Sequence, residues 1–173
     1  MHKILSYPLS IVYYFLLSLS LLIFHPIQWI CFNLFGYQAH TNSVVVLQWF
    51  LMRSANVLGT TFTVNGSEKL PVNQPIIYVS NHQSMFDIIS MIWFLRKTHP
   101  KFVSKKELGS GIPSVSYNLK HGGSDLIDRN DPKQALTAIK GLGEYIQKYN
   151  RSAVIFPEGT RSKNGEPKRF SEN

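Results

Sequence analysis

The segment PIIYVSNHQSMFDIISMIWFL, residues 75–95, decides the fold. It opens with a short apolar run, Pro75–Ser80, which is typical of a strand buried in a mixed or parallel sheet. It closes with Asp87–Leu95, which is apolar enough for a buried helix. A strand that leads directly into a helix is one unit of an α/β protein, and a repetition of this unit along the chain would predict that class.

The chain on either side repeats the pattern. Three further strands are predicted at Lys101–Ser104, Ser124–Asp128 and Ala153–Phe156. The β-branched run Thr60–Val64 predicts another. The clearest helix is Pro132–Tyr149, because Asp131 suits its N-cap, proline suits its first turn and four apolar residues recur at helical spacing. These four are Ala135, Ile139, Leu142 and Ile146. The expected fold is an α/β domain with a mixed sheet flanked by helices.

The N-terminal third of the chain has a different composition. The net charge of the 173 residues is +8, yet no Asp, Glu, Lys or Arg lies between Lys3 and Arg53. The apolar run Leu9–Phe24 would rise about 24 Å as a helix, and extension past Pro8 or Pro26 would reach the ~30 Å of a bilayer core. A retained membrane anchor is favoured over a cleaved signal peptide, because bulky residues follow the run.

Two arrangements of this anchor stay open. Basic residues flank it on both sides, so both flanks favour the cytoplasmic side of a membrane. A hairpin of two helices in one leaflet, bent at Pro26, satisfies both flanks, whereas a single span places one flank on the other side. In either case we expect membrane-associated helices over residues 1–58 and an α/β domain over residues 59–173.

Composition and motif spacing exclude several classes of protein. A single cysteine rules out an internal disulfide framework, and 44% hydrophobic with 16% charged residues is too apolar for a disordered tail. The sequence has neither of the glycine-rich phosphate-binding motifs of nucleotide enzymes. Its six histidines are isolated, so no catalytic metal is expected. The basic residues are scattered and not interleaved with aromatic ones, so nucleic acid is not an expected partner.

The turn between the first strand and its helix contains a candidate general base. His82 and Asp87 can meet only if the histidine lies in the turn and the aspartate in the first turn of the helix. Ser84 favours this arrangement, since it is a good N-cap. Asp87 would then hold one imidazole nitrogen and leave the other to accept a proton from a hydroxyl. Alternatively, Ser84 and Asp87 form an ordinary capping box and His82 is a loop residue.

Two other strand ends carry polar groups. Phe156-Pro157-Glu158-Gly159-Thr160-Arg161 follows the last strand, and its arginine is a fork suited to a phosphate. An ordinary turn with a solvated arginine is the alternative. Asp128 and Arg129 follow the preceding strand, where a surface ion pair is the default interpretation. Lys105 and Lys106 follow another predicted strand, Lys101–Ser104. Since ligands gather at the carboxyl ends of strands in α/β sheets, these groups together predict one site.

Four segments resemble motifs of the glycerolipid acyltransferases. NHQSMFD is similar to their His-x4-Asp motif and FPEGTRS to their Glu-Gly-Thr-Arg motif. GGSDLIDRND resembles the intermediate motif, and KFVSKKEL resembles the segment before it. All four occur in the family's order. The strongest resemblance is to the bacterial 1-acyl-glycerol-3-phosphate acyltransferases, which convert lysophosphatidic acid to phosphatidic acid and begin with membrane helices.

The resemblance implies a role for each matching residue. His82 would be the general base that deprotonates the free glycerol hydroxyl, and Asp87 would orient it. The hydroxyl would attack an acyl thioester, either acyl-CoA or acyl carrier protein, with no cofactor and no metal. The glycerol-phosphate pocket would comprise Lys105, Arg129, Glu158, Gly159, Thr160 and Arg161. The resemblance also implies that the chain sits at the inner membrane with its active domain facing the cytoplasm.

Two departures from the family pattern stand out. Asp125 occupies a position that is normally apolar. The family's domain normally continues past Asn173 into a proline-containing motif, so we expect the chain to be incomplete.

Alternative functions are acylation of another lysolipid or of glycerol-3-phosphate. From another class, the alternative is a membrane-anchored module that binds anionic lipid or nucleic acid without catalysis.

Overall fold

The fold is taken from a computed structural model, which describes residues 2–170 and their side chains from Leu5 onward. The helices of more than one turn are α1 (His2–Asn56), α2 (Phe86–Phe94), α3 (Val115–His121) and α4 (Pro132–Tyr149). The strands are β1 (Ile76–Val79), β2 (Pro100–Lys105), β3 (Asp125–Ile127) and β4 (Ser152–Ile155). Short 3-10 turns occupy Ser67–Lys69, Arg96–Thr98 and Lys106–Gly109.

The strands form one sheet in the order β1-β4-β2-β3. Every pairing among them is parallel, with Val79 opposite Ile155 and Lys105 opposite Ile127. The predicted α/β class is confirmed, and the described part of the sheet is purely parallel. Because parallel strands end at the same edge, the loops after all four strands lie side by side there.

Helix α4 forms as its sequence predicts. The Asp131 side chain accepts a hydrogen bond from the backbone N–H of Gln134 at 3.0 Å, which satisfies one of the free donors of the first turn. Leu142 and Ile146 are buried against Ala153 of β4. Ile139, predicted to lie on the same buried face, is instead 46% exposed. The first turn contacts the sheet through Gln134, which donates to the carbonyl of Leu126 in β3 at 3.0 Å, and not through an apolar side chain. Helical spacing alone therefore overestimates the buried apolar stripe.

Helix α1 is a hairpin of two arms. Its only described break in helical geometry is at Gly36, with φ 81° and ψ −175°, a conformation available essentially to glycine. The arms run antiparallel, since the rings of Phe24 and Phe50 lie 5.5 Å apart. The hairpin interpretation expected the bend at Pro26. The bend is instead at Gly36. Both Pro26 and Pro8 lie inside the first arm, where proline removes one hydrogen bond without reversing the chain.

The hairpin shares its core with the α/β domain. Phe24 of the first arm and Leu47 and Leu51 of the second pack with Ile89 of α2. Farther along, the Ser114 hydroxyl at the start of α3 donates to the carbonyl of Leu21 at 2.7 Å. The hairpin thus lies along the domain instead of projecting from it.

The opposite face of the hairpin is apolar and uncovered. Residues 5–56 are long and apolar enough to cross a membrane. Their most apolar stretch of 18 residues has a mean hydropathy of 1.9, and only 11% of it is buried. Large exposed side chains on the first arm include Ile11, Phe15, Leu22, Trp29 and Phe35. This face indicates membrane association.

Two local expectations differ from the structure. Thr60–Val64 is not a strand. Its Phe62 packs against the core shared with the hairpin, and residues 61–67 line a cavity of about 500 Å³ beside β1. β-Branched residues favour a strand only where a partner strand is available. Helix α3 was not predicted. It packs against the neighbouring Lys106–Gly109 turn, where the Ser116 hydroxyl donates to the carbonyl of Leu108 at 2.9 Å, and against the distant hairpin.

Candidate active site

The site lies at the carboxyl edge of the sheet. The loop after β1 presents His82, the loop after β4 presents residues 156–161, and the loop after β3 presents Arg129. β1 and β4 are adjacent strands, so the first two loops are in direct contact: the backbone N–H of Ser162 donates to the carbonyl of His82 at 2.8 Å.

Asp87 organises the first loop. Its Oδ2 lies 2.9 Å from His82 Nδ1 and also accepts the backbone N–H groups of Gln83 and Ser84 at 2.8 and 2.9 Å. The Ser84 hydroxyl accepts from the N–H of Phe86 at 3.2 Å. The two interpretations of this segment are therefore realised together, because one carboxylate caps the turn and holds the imidazole.

The geometry fixes which imidazole nitrogen can act. A carboxylate that already accepts two N–H groups is an acceptor toward His82, so Nδ1 carries the proton and donates to it. The lone pair is then on Nε2, on the far side of the ring. The side chain of His82 is 14% exposed and that of Asp87 is 23% exposed, so the pair is partly buried but still accessible to solvent. Such an imidazole can take a proton from a hydroxyl.

Glu158, which the resemblance assigns to the glycerol-phosphate pocket, is held by backbone hydrogen bonds. It is only 6% exposed, and both of its oxygens are used by backbone. Oε1 accepts the N–H of His82 at 2.9 Å and Oε2 accepts the N–H of Lys168 at 2.8 Å. The hydrogen bonds from Lys168 and His82 hold the pKa of Glu158 below its ordinary value. The carboxylate therefore links the loop after β1 to the segment that contains Lys168.

Arg129 links a third loop to this pair. Its guanidinium donates from Nη2 to the carbonyl of Gly159. Asp128 does not form the expected ion pair with it. Instead, Asp128 Oδ2 lies 4.0 Å from Lys106 Nζ, and its Oδ1 accepts the N–H of Asn130 at 2.9 Å.

The remaining predicted residues line the open side of the same edge. Gly159 has φ 65°, which turns the chain after β4. The side chains of Thr160 and Arg161 are exposed, as is that of Lys105 at the end of β2. The structure thus brings the predicted cations to one edge, although they reach it from three different loops.

One neighbour of the base was missed by the sequence analysis. The ring of Phe156 stacks on the imidazole of His82, with centroids 4.1 Å apart and planes 18° apart. The only signal available was its position, at the last residue of a predicted strand that precedes Pro157-Glu158. Among the side chains that the structure describes, residues 5–170, there is no group of three that could hold a metal ion.

The fold and site define a parallel α/β domain with a histidine–aspartate pair and exposed cations at the carboxyl edge of its sheet. The model of the acyltransferase family matches residues 61–173. The chain belongs to this acyltransferase family.

Individual relatives agree with that assignment. A 1-acyl-sn-glycerol-3-phosphate acyltransferase of Helicobacter pylori is 44% identical over 93 residues, which is 52% of this chain and 37% of that protein. The enzyme of the same description from Cocos nucifera is 36% identical over 109 residues, 63% of this chain and 34% of its own length. The chain therefore spans between a third and two fifths of these relatives.

A solved structure shares the fold. The crystal structure of the 1-acyl-sn-glycerophosphate acyltransferase PlsC from Thermotoga maritima superimposes with a TM-score of 0.76 at 23% identity. The match covers 99% of this chain and 68% of that one, so it includes the N-terminal hairpin as well as the α/β domain.

Proposed function

We propose that the protein transfers a fatty acyl group from a thioester to the free hydroxyl of 1-acyl-glycerol-3-phosphate, giving phosphatidic acid. The observation that carries this proposal is the 2.9 Å contact between His82 Nδ1 and Asp87, which leaves Nε2 open at the carboxyl edge of the sheet. The descriptions of the Helicobacter and Cocos relatives support the substrate class.

The reaction follows from the properties of this pair. Nε2 of His82 accepts the proton of the glycerol hydroxyl while its oxygen attacks the thioester carbonyl carbon. Asp87 stabilises the imidazolium that forms. The tetrahedral intermediate then collapses, the C–S bond breaks and the departing sulfur takes the proton from Nε2. The base is regenerated, and no acyl group is bonded to the protein.

The exposed cations would bind the acceptor. Arg161 and Lys105 lie on the open side of the edge, and Thr160 and the Gly159 backbone add hydrogen-bonding groups. A guanidinium fork matches a phosphate, so we assign Arg161 the principal contact. Arg129 would contribute charge while it holds the loop after β4.

The apolar hairpin accounts for the physical state of the substrates. Both the acceptor and the product carry acyl tails that stay in lipid, whereas the phosphate must meet the basic edge of the domain. We place the protein at the cytoplasmic face of the inner membrane, with the hairpin in the adjacent leaflet. The acyl donor would be acyl-CoA or acyl carrier protein.

An assay in detergent with each thioester tests the proposal. His82→Ala should lower turnover about 10²- to 10⁴-fold, the usual contribution of a general base. Arg161→Ala should mainly raise the KM for the phosphate acceptor, since a phosphate clamp acts in binding. Parallel reactions with glycerol-3-phosphate and with lysolipids of other head groups identify the acceptor. Undiminished turnover in His82→Ala would remove this residue from the mechanism.

A further inference from the structure

The Asp87 contact alone does not fix the catalytic imidazole. One hydrogen bond at Nδ1 sets the direction of one edge of the ring. The ring can still swing about the line from Nδ1 to the carboxylate oxygen, and the χ2 torsion of histidine is broad. A swing of this kind would carry Nε2 away from the hydroxyl that it must deprotonate.

Phe156 supplies the missing constraint. Its ring is stacked on the imidazole face at 4.1 Å and 18°. Phe156 also lies nearly parallel to Phe102, with centroids 6.5 Å apart and planes 20° apart. Phe102 is buried in β2, opposite Val154 of β4. The three rings thus connect the imidazole plane to the middle of the sheet.

We propose that Phe156 is a positioning residue that fixes the plane of the His82 imidazole, so that Asp87 and Phe156 together aim Nε2 at the acceptor hydroxyl. This inference rests on the function proposed above. The face of the phenyl ring also stabilises the positive charge that the imidazole carries after it takes the proton. Since that charge exists only after the reaction has begun, the contribution belongs to turnover and not to substrate binding.

The test compares Phe156→Leu with Phe156→Tyr. Leucine keeps an apolar side chain but has no flat face, whereas tyrosine keeps the ring. We expect Phe156→Leu to lower kcat about 10- to 100-fold, the scale of a small misplacement of a reacting group, with KM changed less than about twofold. Phe156→Tyr should retain most of the wild-type kcat. Leu142→Ala serves as a control for core packing, because Leu142 is buried in the cluster between α4 and β4 and is not one of the three stacked rings. It should lower thermal stability without changing kcat.

A second measurement does not depend on turnover. Diethyl pyrocarbonate modifies accessible imidazole nitrogens, and mass spectrometry resolves each histidine. We expect His82 to be modified several-fold faster in Phe156→Leu than in the wild type or in Phe156→Tyr, with the rate at His121 unchanged as an internal reference.

The outcomes separate this inference from the proposed function. Wild-type kcat in Phe156→Leu, or an equal loss in Phe156→Tyr, would overturn the positioning role. An unchanged modification rate at His82 would overturn it as well. A wild-type protein with no acyl transfer to any acceptor would overturn the proposed function, and the modification rates would still decide whether Phe156 holds the imidazole.

Discussion

Glu158 is a charged residue whose two carboxylate oxygens are both hydrogen-bonded by backbone N–H groups. Its two oxygens accept the N–H groups of His82 and Lys168. In Glu158→Gln one of these donors would face an amide NH₂, so the loop that carries His82 should shift. We expect kcat to fall about tenfold or more, as small displacements of reacting groups do, while the KM for the phosphate acceptor changes little. Steady-state kinetics measures the split, and a rise in KM with kcat unchanged would instead place Glu158 in the acceptor pocket.

The same carboxylate has a defined pH dependence. Its pKa is lowered in the folded protein, so its contribution to stability is present above the ordinary glutamate range and is lost as the pH falls through the folded value. The melting temperature of the wild type should therefore fall when the pH is lowered below that range. Glu158→Gln, which cannot titrate, should show a smaller change over the same interval.

The pKa of Asp125 is shifted in the opposite direction, so its effect on stability has the opposite dependence on pH. It is a half-buried carboxyl in β3, opposite Val103, and burial raises its pKa. The folded protein binds this proton more tightly than the unfolded chain does, so the cost of ionisation grows as the pH rises through the folded value. Asp125→Asn should raise the melting temperature by about 1–2 °C near pH 8, since solvent screens a half-exposed group. The gain should vanish below the ordinary aspartate range, and an equal gain at both pH values would contradict this account.

The sequence anticipated these residues unevenly, for a physical reason. The contact between His82 and Asp87 is local, five positions apart, and follows from capping chemistry. The stack of Phe156 on His82 joins positions 74 residues apart and needs β1 and β4 to be neighbours. Strand order is not encoded in either segment, so the sequence predicts the pair and not the stack.

At the scale of single elements, α4 offers the cleanest test of local rules. The Asp131 carboxylate caps the helix through the N–H of Gln134, and little else contacts it because it is exposed. Asp131→Ala should cost about 1 kcal/mol of unfolding free energy, the typical value of an N-cap. This corresponds to a melting temperature about 2–4 °C lower. Asp131→Ser, which keeps a capping oxygen, should recover most of the loss, and an equal loss in both variants would show that the cap is not the cause.

Elements that depend on local signals were predicted, and those that depend on distant partners were not. The four strands and helices α2 and α4 appear where apolar runs, caps and turns place them. Ser114 precedes helix α3, and its N–H donates to Nδ1 of His25 in the hairpin. Tyr117 of α3 lies edge-on to Phe32. Those partners are more than 80 residues away, so a window of sequence around α3 contains its local contacts, such as that of Ser116 with Leu108, but not the contacts with the hairpin.

At the scale of the whole molecule, the sequence indicated an apolar N-terminal segment but not what it contacts. Lipid and a protein core are both apolar, so hydropathy does not separate them. The structure separates the two kinds of contact. Leu47 and Leu51 face the domain, whereas Ile11 and Leu22 are 70% and 59% exposed. The hairpin is thus both part of the fold and a surface for a bilayer.

This division predicts how the protein binds membranes. An exposed leucine that enters lipid contributes about 1.5–3 kcal/mol when fully buried. Leu22→Asp should therefore weaken binding to phospholipid vesicles at least about tenfold in a flotation assay. The melting temperature should change little, because this side chain lies on the outer face of the hairpin.

The matched control is Leu136→Asp on α4, where the leucine is 55% exposed but lies away from the hairpin. Equal loss of binding in the two variants would mean that the bilayer contacts the α/β domain as much as the hairpin. No loss in Leu22→Asp would mean that the outer face of the first arm is not the surface that meets lipid.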